Sequence, residues 1–353
     1  MEHRLPRRRQ RSATIHDVAR HAGVSSMTVS RVINGEGNVR PATQRLVEDS
    51  IRALHFVPNA AAKTLAGGEI LRIGLLCSIP NATYVSEFLI GALERCSQVN
   101  AQLIVKRYSP GDDLAKAAAM LIDAGLDGII LPPPVCDAQD LVRVLREAGI
   151  AVIATGSIRQ GTDLPSIGID DFAAARAMTR HLISLGHRRI GFITGRANHA
   201  ATGLRLEGHR AALADAELEV EEALIAPGNF TYHSGLDAAE ALLSQERPPT
   251  AIFASNDDMA AAAVAVAHRR GLDVPADLSV CGFDDTPLAT TIWPELTTVR
   301  QPVSVISEEA VSMLAEIVRR GGGAPDPTPH RLLEFELIRR QSDAAPKSRP
   351  ASR

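Results

Sequence analysis

The sequence predicts a small all-α head joined to an α/β body of two doubly wound parallel-sheet lobes. Three observations predict it. Thr14–Arg31 reads T-I-H-D-V-A-R-H-A-G-V-S-S-M-T-V-S-R, two short helical stretches parted by a glycine. From Leu71 the pattern changes to short apolar runs alternating with longer stretches of helical periodicity, as expected of parallel strands buried on both faces by helices. That alternation runs twice, before and after about Ile169, which gives two lobes.

Taken in order, residues 1–13 form a basic tail expected to be disordered, and residues 14–58 form the head. Thr14 is placed to cap a first helix, Ile15–Ala22. Gly23 supplies a left-handed turn that a residue with a Cβ resists. Ser25 is placed to cap a second helix running to Asn34. Gly35–Val39 is a loop, and Pro41 suits the first turn of a third helix. In that helix Leu46, Val47, Ile51 and Leu54 recur at helical spacing, giving Val18, Ala19, Val29, Val32 and Ile33 a face to pack on. So small a core leaves the head only marginally stable. Pro58 breaks the chain before a linker at 59–68, N-A-A-A-K-T-L-A-G-G. Its alanines favour helix, but one short isolated helix is unstable in water.

The body is expected at 69–342. Its strands are Leu71–Leu76, Leu103–Val105, Gly128–Leu131, Ala151–Ala154, Ile190–Thr194, Ala251–Ala254 and Ser279–Phe283. Its helices are Glu87–Val99, Leu114–Ala124, Leu141–Ala148, Ala173–Leu185, Leu204–Ala214, Ser234–Leu243 and Met259–Arg270. Ser304–Arg319 reads as a late helix, Leu332–Ile338 as a last strand, and 343–353 as a disordered polar tail. Ligands of such sheets bind at the carboxyl ends of strands, here between the lobes.

Composition sets the class. The chain has 353 residues, 22% charged and 45% hydrophobic, with a net charge of -3. The charge is unevenly spread: residues 1–65 hold 11 Lys/Arg against 5 Asp/Glu, and the remainder holds 27 against 36. A basic head on an acidic body suits a head that alone meets a polyanion. The four cysteines, Cys77, Cys96, Cys136 and Cys281, form no C-x-x-C pair and read as reduced, packed thiols. The first residues, M-E-H-R-L-P-R-R-R-Q-R, lack the apolar run of a signal peptide. No stretch reaches the ~18 apolar residues of a membrane span. A cytoplasmic protein is expected.

The head carries the first chemistry. A second helix brings Ser26, Met27 and Arg31 near one face. Arg31 suits guanine O6 and N7 in the major groove, and Met27 suits a thymine methyl. Thr28, Ser30, Asn34 and Thr43 suit phosphate contacts that set register without reading sequence, and Ser25 is expected at the DNA beside them. Ala19, Gly23 and Val29 fall where a helix-turn-helix needs a small residue, a turn and a core residue. Double-stranded DNA is the expected partner.

I-H-D-V-A-R-H-A-G-V-S-S-M-T-V-S-R-V-I-N followed by F-V-P-N-A-A-A-K-T-L-A resembles the lactose/galactose repressor family of bacterial transcription factors. So, in this order, do G-H-R-R-I-G-F-I-T-G (Gly186–Gly195), A-S-N-D-D-M-A (Ala254–Ala260), D-L-S-V-C-G-F-D-D (Asp277–Asp285) and P-E-L-T-T-V-R-Q-P (Pro294–Pro302). The resemblance covers nearly all of the chain after about residue 13. It implies a periplasmic-binding-protein-like body and a homodimer on a near-palindromic operator. It makes the linker a hinge helix, with Asn59, Ala62 and Leu65 at the DNA and Leu65 as a wedge that kinks the minor groove.

For the body the resemblance implies an effector site at Arg205, Asn256 and Asp284. An arginine fork and a carboxylate together bind adjacent sugar hydroxyls, and an asparagine both donates and accepts. Asp258 stands nearby in sequence as a further acceptor. Phe230 fits a wall position, either stacking on a sugar face or packing in the core; Tyr84, Phe88 and Trp293 are weaker candidates. Two departures leave the ligand open. Strand four ends Ala154-Thr155-Gly156-Ser157, where several sugar-binding relatives have an aspartate. Strand three runs into Pro132-Pro133-Pro134, where some have a polar residue. A sugar, glycoside or sugar acid comes first, a nucleobase or nucleoside second, and release by an inducer is favoured over a corepressor. A solute-binding protein would need an export signal and no basic head.

No enzyme, metal or cofactor is expected. Asp257-Asp258 and Asp284-Asp285 have no histidine at ligand spacing. Gly195-Arg196-Ala197-Asn198 is not a phosphate loop, and there is no G-x-S-x-G elbow. His187 reads as a packing or helix-end residue.

Overall fold

The computed structural model describes residues 13–33, 39–54, 56, 70–77, 82–108, 113–156, 164–321 and 328–347. The expected hinge at 59–68, with Asn59, Ala62 and Leu65, lies outside the described residues, as does Asn34. The chain divides into two compact units, Met1–Ile70 and Leu71–Arg353.

The first unit is built of α1 (Ile15–Ala22), α2 (Ser26–Ile33) and α3 (Pro41–Ala53). Thr14 and Asp17 cap α1 reciprocally: Asp17 N donates to Thr14 Oγ1 at 3.3 Å and Thr14 N donates to Asp17 Oδ2 at 2.9 Å. Gly23 ends the helix at φ 67°, in the left-handed region. Ser25 Oγ accepts from Thr28 N at 3.1 Å, so it caps α2 as expected. Val18, Ala19, Val29 and Val47 are fully or nearly buried, with Val32, Ile33, Ile51 and Leu54 packed around them. Leu46 departs from the expected stripe and is 55% exposed. It precedes Val47 and is rotated ~100° from it around the helix, off the line that continues through Ser50 and Leu54.

The second unit holds two six-stranded sheets. The first contains β1 (Leu71–Cys77), β2 (Ala101–Arg107), β3 (Gly128–Leu131), β4 (Ala151–Thr155), β5 (Ser166–Ile169) and β11 (His330–Leu333). Their spatial order is β11-β5-β4-β3-β1-β2. The second contains β6 (Ile190–Ile193), β7 (Ile225–Ala226), β8 (Ala251–Ala254), β9 (Ser279–Asp284), β10 (Thr297–Arg300) and β12 (Glu336–Ile338), ordered β12-β10-β9-β8-β6-β7. All neighbours are parallel except β10 and β12. Strand order reverses between β1 and β3, and again between β6 and β8. Each reversal opens a crevice at the carboxyl ends of the strands.

The helices are α4 (Ala82–Gln98), α5 (Leu114–Asp123), α6 (Gln139–Glu147), α7 (Asp171–Ser184), α8 (Ala200–Asp215), α9 (Tyr232–Leu243), α10 (Asp257–Arg269), α11 (Leu288–Thr291) and α12 (Val303–Arg319). In the body the helices and strands expected up to Arg319 are present, with ends shifted by a few residues. Three strands were not expected: β5 (S-I-G-I), β7 and β10 (T-T-V-R).

The division at Ile169 needs correction. The chain crosses between lobes three times: after β5, after β10, and between β11 and β12. After the second crossing α12 returns to the first lobe, where Val303, Ile306, Ala310 and Leu314 share a core with Ile73 and Leu75 of β1. The apolar run read as one strand, Leu332–Ile338, is two strands in different sheets. Residues 342–347 are likewise no loose tail. Ser342 is fully buried, its Oγ donating to Val280 O at 2.5 Å and accepting from Thr297 N at 2.8 Å. Asp343 pairs with His181 at 2.8 Å. The polar composition that suggested a tail instead satisfies backbone groups beside β9 and β10. His187 packs as expected, 1% exposed, with Thr250 and Ser279 at its two ring nitrogens.

Candidate functional site

In the head, α2 is exposed on the face that carries Met27, 67% exposed, and Arg31. Ser26 and Ser30 are half-buried beside them, with Ser26 Oγ 3.0 Å from His16 Nδ1. Ser25 and Thr28 are joined through their hydroxyls at 2.9 Å. Thr43 stands half-buried in the first turn of α3. The arrangement is a short helix, anchored by Val29, with an unbranched apolar side chain and a guanidinium raised above its core.

In the body, a cleft of about 940 Å³, its open mouth included, lies between the lobes at the carboxyl ends of the strands. The first lobe lines it with Leu75 and Cys77 of β1, Tyr84 and Phe88 of α4, and the prolines that follow β3. The second lobe supplies Arg196, Arg205, Phe230, Asn256 and Asp284.

Arg205 is 5% exposed and lies under several constraints. Nε donates to Asp171 Oδ1 at 2.7 Å, Nη1 donates to Ser255 O at 2.5 Å, and the guanidinium stands 3.5 Å over the Phe283 ring. Asp284 Oδ1 lies 4.0 Å from Nη1 and accepts from Gln301 Nε2 at 2.6 Å. Burial pushes the Asp284 carboxyl up to about 7, while Arg205 and the Gln301 hydrogen bond pull it down. The backbone there is strained, with φ 108° at Asp284 and 57° at Asp285.

Asn256 caps α10, its Oδ1 accepting from Met259 N at 3.0 Å, and its Nδ2 donates to Phe230 O at 3.1 Å. It therefore fixes Phe230, on the same lobe, as well as lining the cleft. Phe230 has φ 68° and packs over Gly195, where a Cβ would meet Phe230 Cζ at 1.9 Å. Only glycine at 195 admits that ring.

Four of the five expected effector residues, Arg205, Asn256, Asp284 and Phe230, thus meet at one cleft. Asp258 is the correction. It is absent from the lining and stands in the first turn of α10, with Oδ2 3.4 Å from Asn256 Nδ2. Trp293 is also outside the lining, and 76% exposed, whereas Tyr84 and Phe88 are inside. Asp257 is spent on structure: it accepts from Thr286 N at 2.7 Å and Thr298 Oγ1 at 2.7 Å, tying α10 to β10 and to the turn after β9. Burial and the nearby Asp284 hold its carboxyl well above the usual range.

Residues 14–59 match the model of bacterial regulatory proteins of the lacI family, and residues 179–342 match a periplasmic binding protein-like domain. Catabolite control protein A of Priestia megaterium is 34% identical, covering 88% of this chain and 93% of the relative. The chain belongs to the lacI family. The transcriptional regulator CelR of Thermobifida fusca is 33% identical over 95% of this chain and 99% of the relative. Among solved structures, a CelR–cellobiose complex matches with a TM-score of 0.71 at 31% identity, over 94% of this chain and 99% of the other. The lac repressor dimer bound to operator and the anti-inducer ONPF matches with a TM-score of 0.76 at 28% identity, over 95% of this chain and 100% of the other. This lacI-family chain therefore has the family's fold, a helix-turn-helix head and a two-lobed body.

Asp171, Gln301 and Arg196 were not read from the sequence as site residues. Asp171 had a usable signal: the doublet Asp170-Asp171 ends an apolar run, as Asp284-Asp285 does. Gln301 sits inside a quoted motif, but nothing in its type marks it as the donor to Asp284. Among the described residues no cluster of three His, Cys, Asp or Glu could hold a metal ion, and no helix is long and apolar enough to cross a membrane.

Proposed function

We propose that this protein is a cytoplasmic, homodimeric transcriptional repressor that binds a near-palindromic operator through α2 and the linker, and that a sugar, glycoside or sugar acid in the cleft releases it. The observation that carries the effector half is the set Arg205, Asp171, Asp284 and Asn256 at the carboxyl ends of two opposed sheets. A fork and carboxylates held this rigidly suit vicinal hydroxyls, each of which donates and accepts. The lac repressor dimer on operator and the cellobiose complex of CelR support both halves of the reading. The cleft senses and does not turn its ligand over. A second reading, a nucleobase corepressor, takes its support from the aromatic side chains Tyr84, Phe88 and Phe230 around the cleft, which suit a planar ring.

The test is a fluorescence-anisotropy titration of the full chain against a library of duplexes, repeated with sugars, glycosides and nucleobases. Sequence-selective binding that a carbohydrate weakens supports the proposal. Binding strengthened by a nucleobase favours the second reading, and indifference to all duplexes at low salt overturns both.

A further inference from the structure

We propose that the effector carries an anionic group, a carboxylate or a phosphate, and that Arg196 is the residue that receives it. This deepens the carbohydrate reading and rests on it.

Charge accounting in the cleft leads there. The charged side chains of its lining are Arg196, Arg205, Asp171 and Asp284, with His199 as a further titratable group. Arg205 is compensated: it holds Asp171 at 2.7 Å and has Asp284 at 4.0 Å. Arg196 is not. It is half-buried at the cleft, yet among the described residues its guanidinium has neither a carboxylate partner nor a hydrogen bond. The two carboxylates of the lining are occupied elsewhere, Asp171 by Arg205 and Asp284 by Gln301.

The opposite wall adds to the bias. Leu75, Cys77, Tyr84, Phe88 and the three prolines bring no carboxylate, and Gly156 brings no side chain. No carboxylate of that lobe stands in the lining to repel an anion. When a ligand fills the cleft, water leaves Arg196. A neutral sugar offers its hydroxyls to the guanidinium but no counter-charge to replace the lost water, whereas an anion pairs with the fork through two parallel, charge-assisted hydrogen bonds. The loop is also fixed in advance: Arg196 O accepts from His199 N at 3.0 Å and from Thr202 Oγ1 at 2.8 Å. Little ordering of the loop's backbone therefore remains to be done on binding.

The remaining hydroxyls of such a ligand fall to Arg205, Asp284 and Asn256. Arg205 and Arg196 therefore divide the work: one holds the part common to carbohydrates, the other selects the acidic members.

The experiment uses the full chain and matched probes: glucose, glucuronate and glucose 6-phosphate, the galactose equivalents, and inorganic phosphate as a probe without a sugar skeleton. Binding is measured by calorimetry and thermal shift at constant ionic strength, for wild type, Arg196→Gln and Arg196→Lys. The carboxylate and phosphate arms separate the two sources of the anion. The expected result is at least tenfold preference for an acidic sugar over its neutral parent. That preference is lost in Arg196→Gln, partly kept in Arg196→Lys, and accompanied by a phosphate-induced shift that Arg196→Gln abolishes. Among the described residues Arg196 has no ion pair or side-chain hydrogen bond to lose, so operator binding by the variants serves as the check that they fold. If neutral sugars bind as tightly as acidic ones, or the preference survives Arg196→Gln, the inference is overturned while the carbohydrate reading stands. If no probe of either kind binds, both are overturned.

Discussion

Arg205 and Asp171 are the pair on which the cleft turns. Both are almost wholly buried, with side chains 6% and 2% exposed. Replacing Arg205 by alanine leaves Asp171 as a buried charge without its counter-ion, which costs about 3–5 kcal/mol. Arg205→Ala should therefore lose the effector response and lower the melting temperature together, while Asp171→Asn should lose less stability. Equal melting of Arg205→Ala and wild type would refute the pairing. Asp284 gives a second, independent prediction. Its carboxyl titrates at about 7 in the folded chain, against an ordinary value of 3.8. Between those values the native state holds a proton that the unfolded state has released, so stability on this account falls as pH rises from about 4 to 7. Asp284→Asn should flatten that part of a urea-denaturation pH profile; an unchanged slope would remove Asp284 as its source. At this scale the sequence was informative where a residue stands in a recognisable motif: Arg205, Asn256, Asp284 and Phe230 all reach the cleft. It was silent where a role exists only through folding. Nothing in I-G-I-D-D says that Asp171 meets an arginine 34 positions on, and Arg196 stands out only once the other charges of the cleft have their partners.

At the scale of elements, long and strongly patterned segments were legible and short ones were not. β3 and β8, four residues each, were read correctly because every side chain is apolar or glycine and every one is buried. β10 is equally short and buried at three of four positions, but its T-T-V-R is half threonine, and the hydroxyls disguise a core strand. Thr298 is fully buried because Asp257 accepts its hydrogen bond, a partnership that no local pattern reveals. The head shows the opposite case, in which caps announce the elements. Thr14 and Asp17 bond reciprocally, so Thr14→Ala removes a cap worth about 1 kcal/mol. Among the described residues of the head four core side chains are buried, so that is a large fraction of a small core. Thr14→Ala should speed amide exchange in α1 severalfold and weaken operator binding in proportion, with effector affinity unchanged. Protection left at the wild-type level would show that packing alone holds α1. On α2, Arg31→Ala should cost about 1–3 kcal/mol of discrimination at one base pair of each half-site, read from a competition series of single-base operator variants. A uniform loss across the series would make Arg31 a phosphate contact instead.

At the scale of the body, the three crossings between lobes explain how a small ligand could be felt at a distance. Asp171 opens the helix after the first crossing and Gln301 lies in the second. Asp171 holds Arg205 and Gln301 holds Asp284, so a ligand that engages Arg205 and Asp284 is coupled directly to two of the segments that cross between the lobes. The split could not be read from the sequence: periodicity marks α12 as a buried helix but does not say which sheet buries it. One contact bridges the lobes at the edge of this system. Asp137, just beyond the prolines of the first lobe, accepts at Oδ2 from Ala200 N at 3.1 Å, at the start of α8 in the second. A carboxylate at a helix N-terminus is favoured both by the free N–H group and by the helix dipole. The bond exists only while the lobes are this close, so it favours this lobe spacing, and a ligand that touches both walls favours it too. Asp137→Ala should therefore weaken effector binding about tenfold, or ~1.4 kcal/mol. Asp137 does not line the cleft, so the loss should appear as faster dissociation for every ligand rather than as altered selectivity. Small-angle scattering of the ligand-free variant should show a more open body. Unchanged dissociation rates and an unchanged scattering curve would mean that the lobes close without this latch.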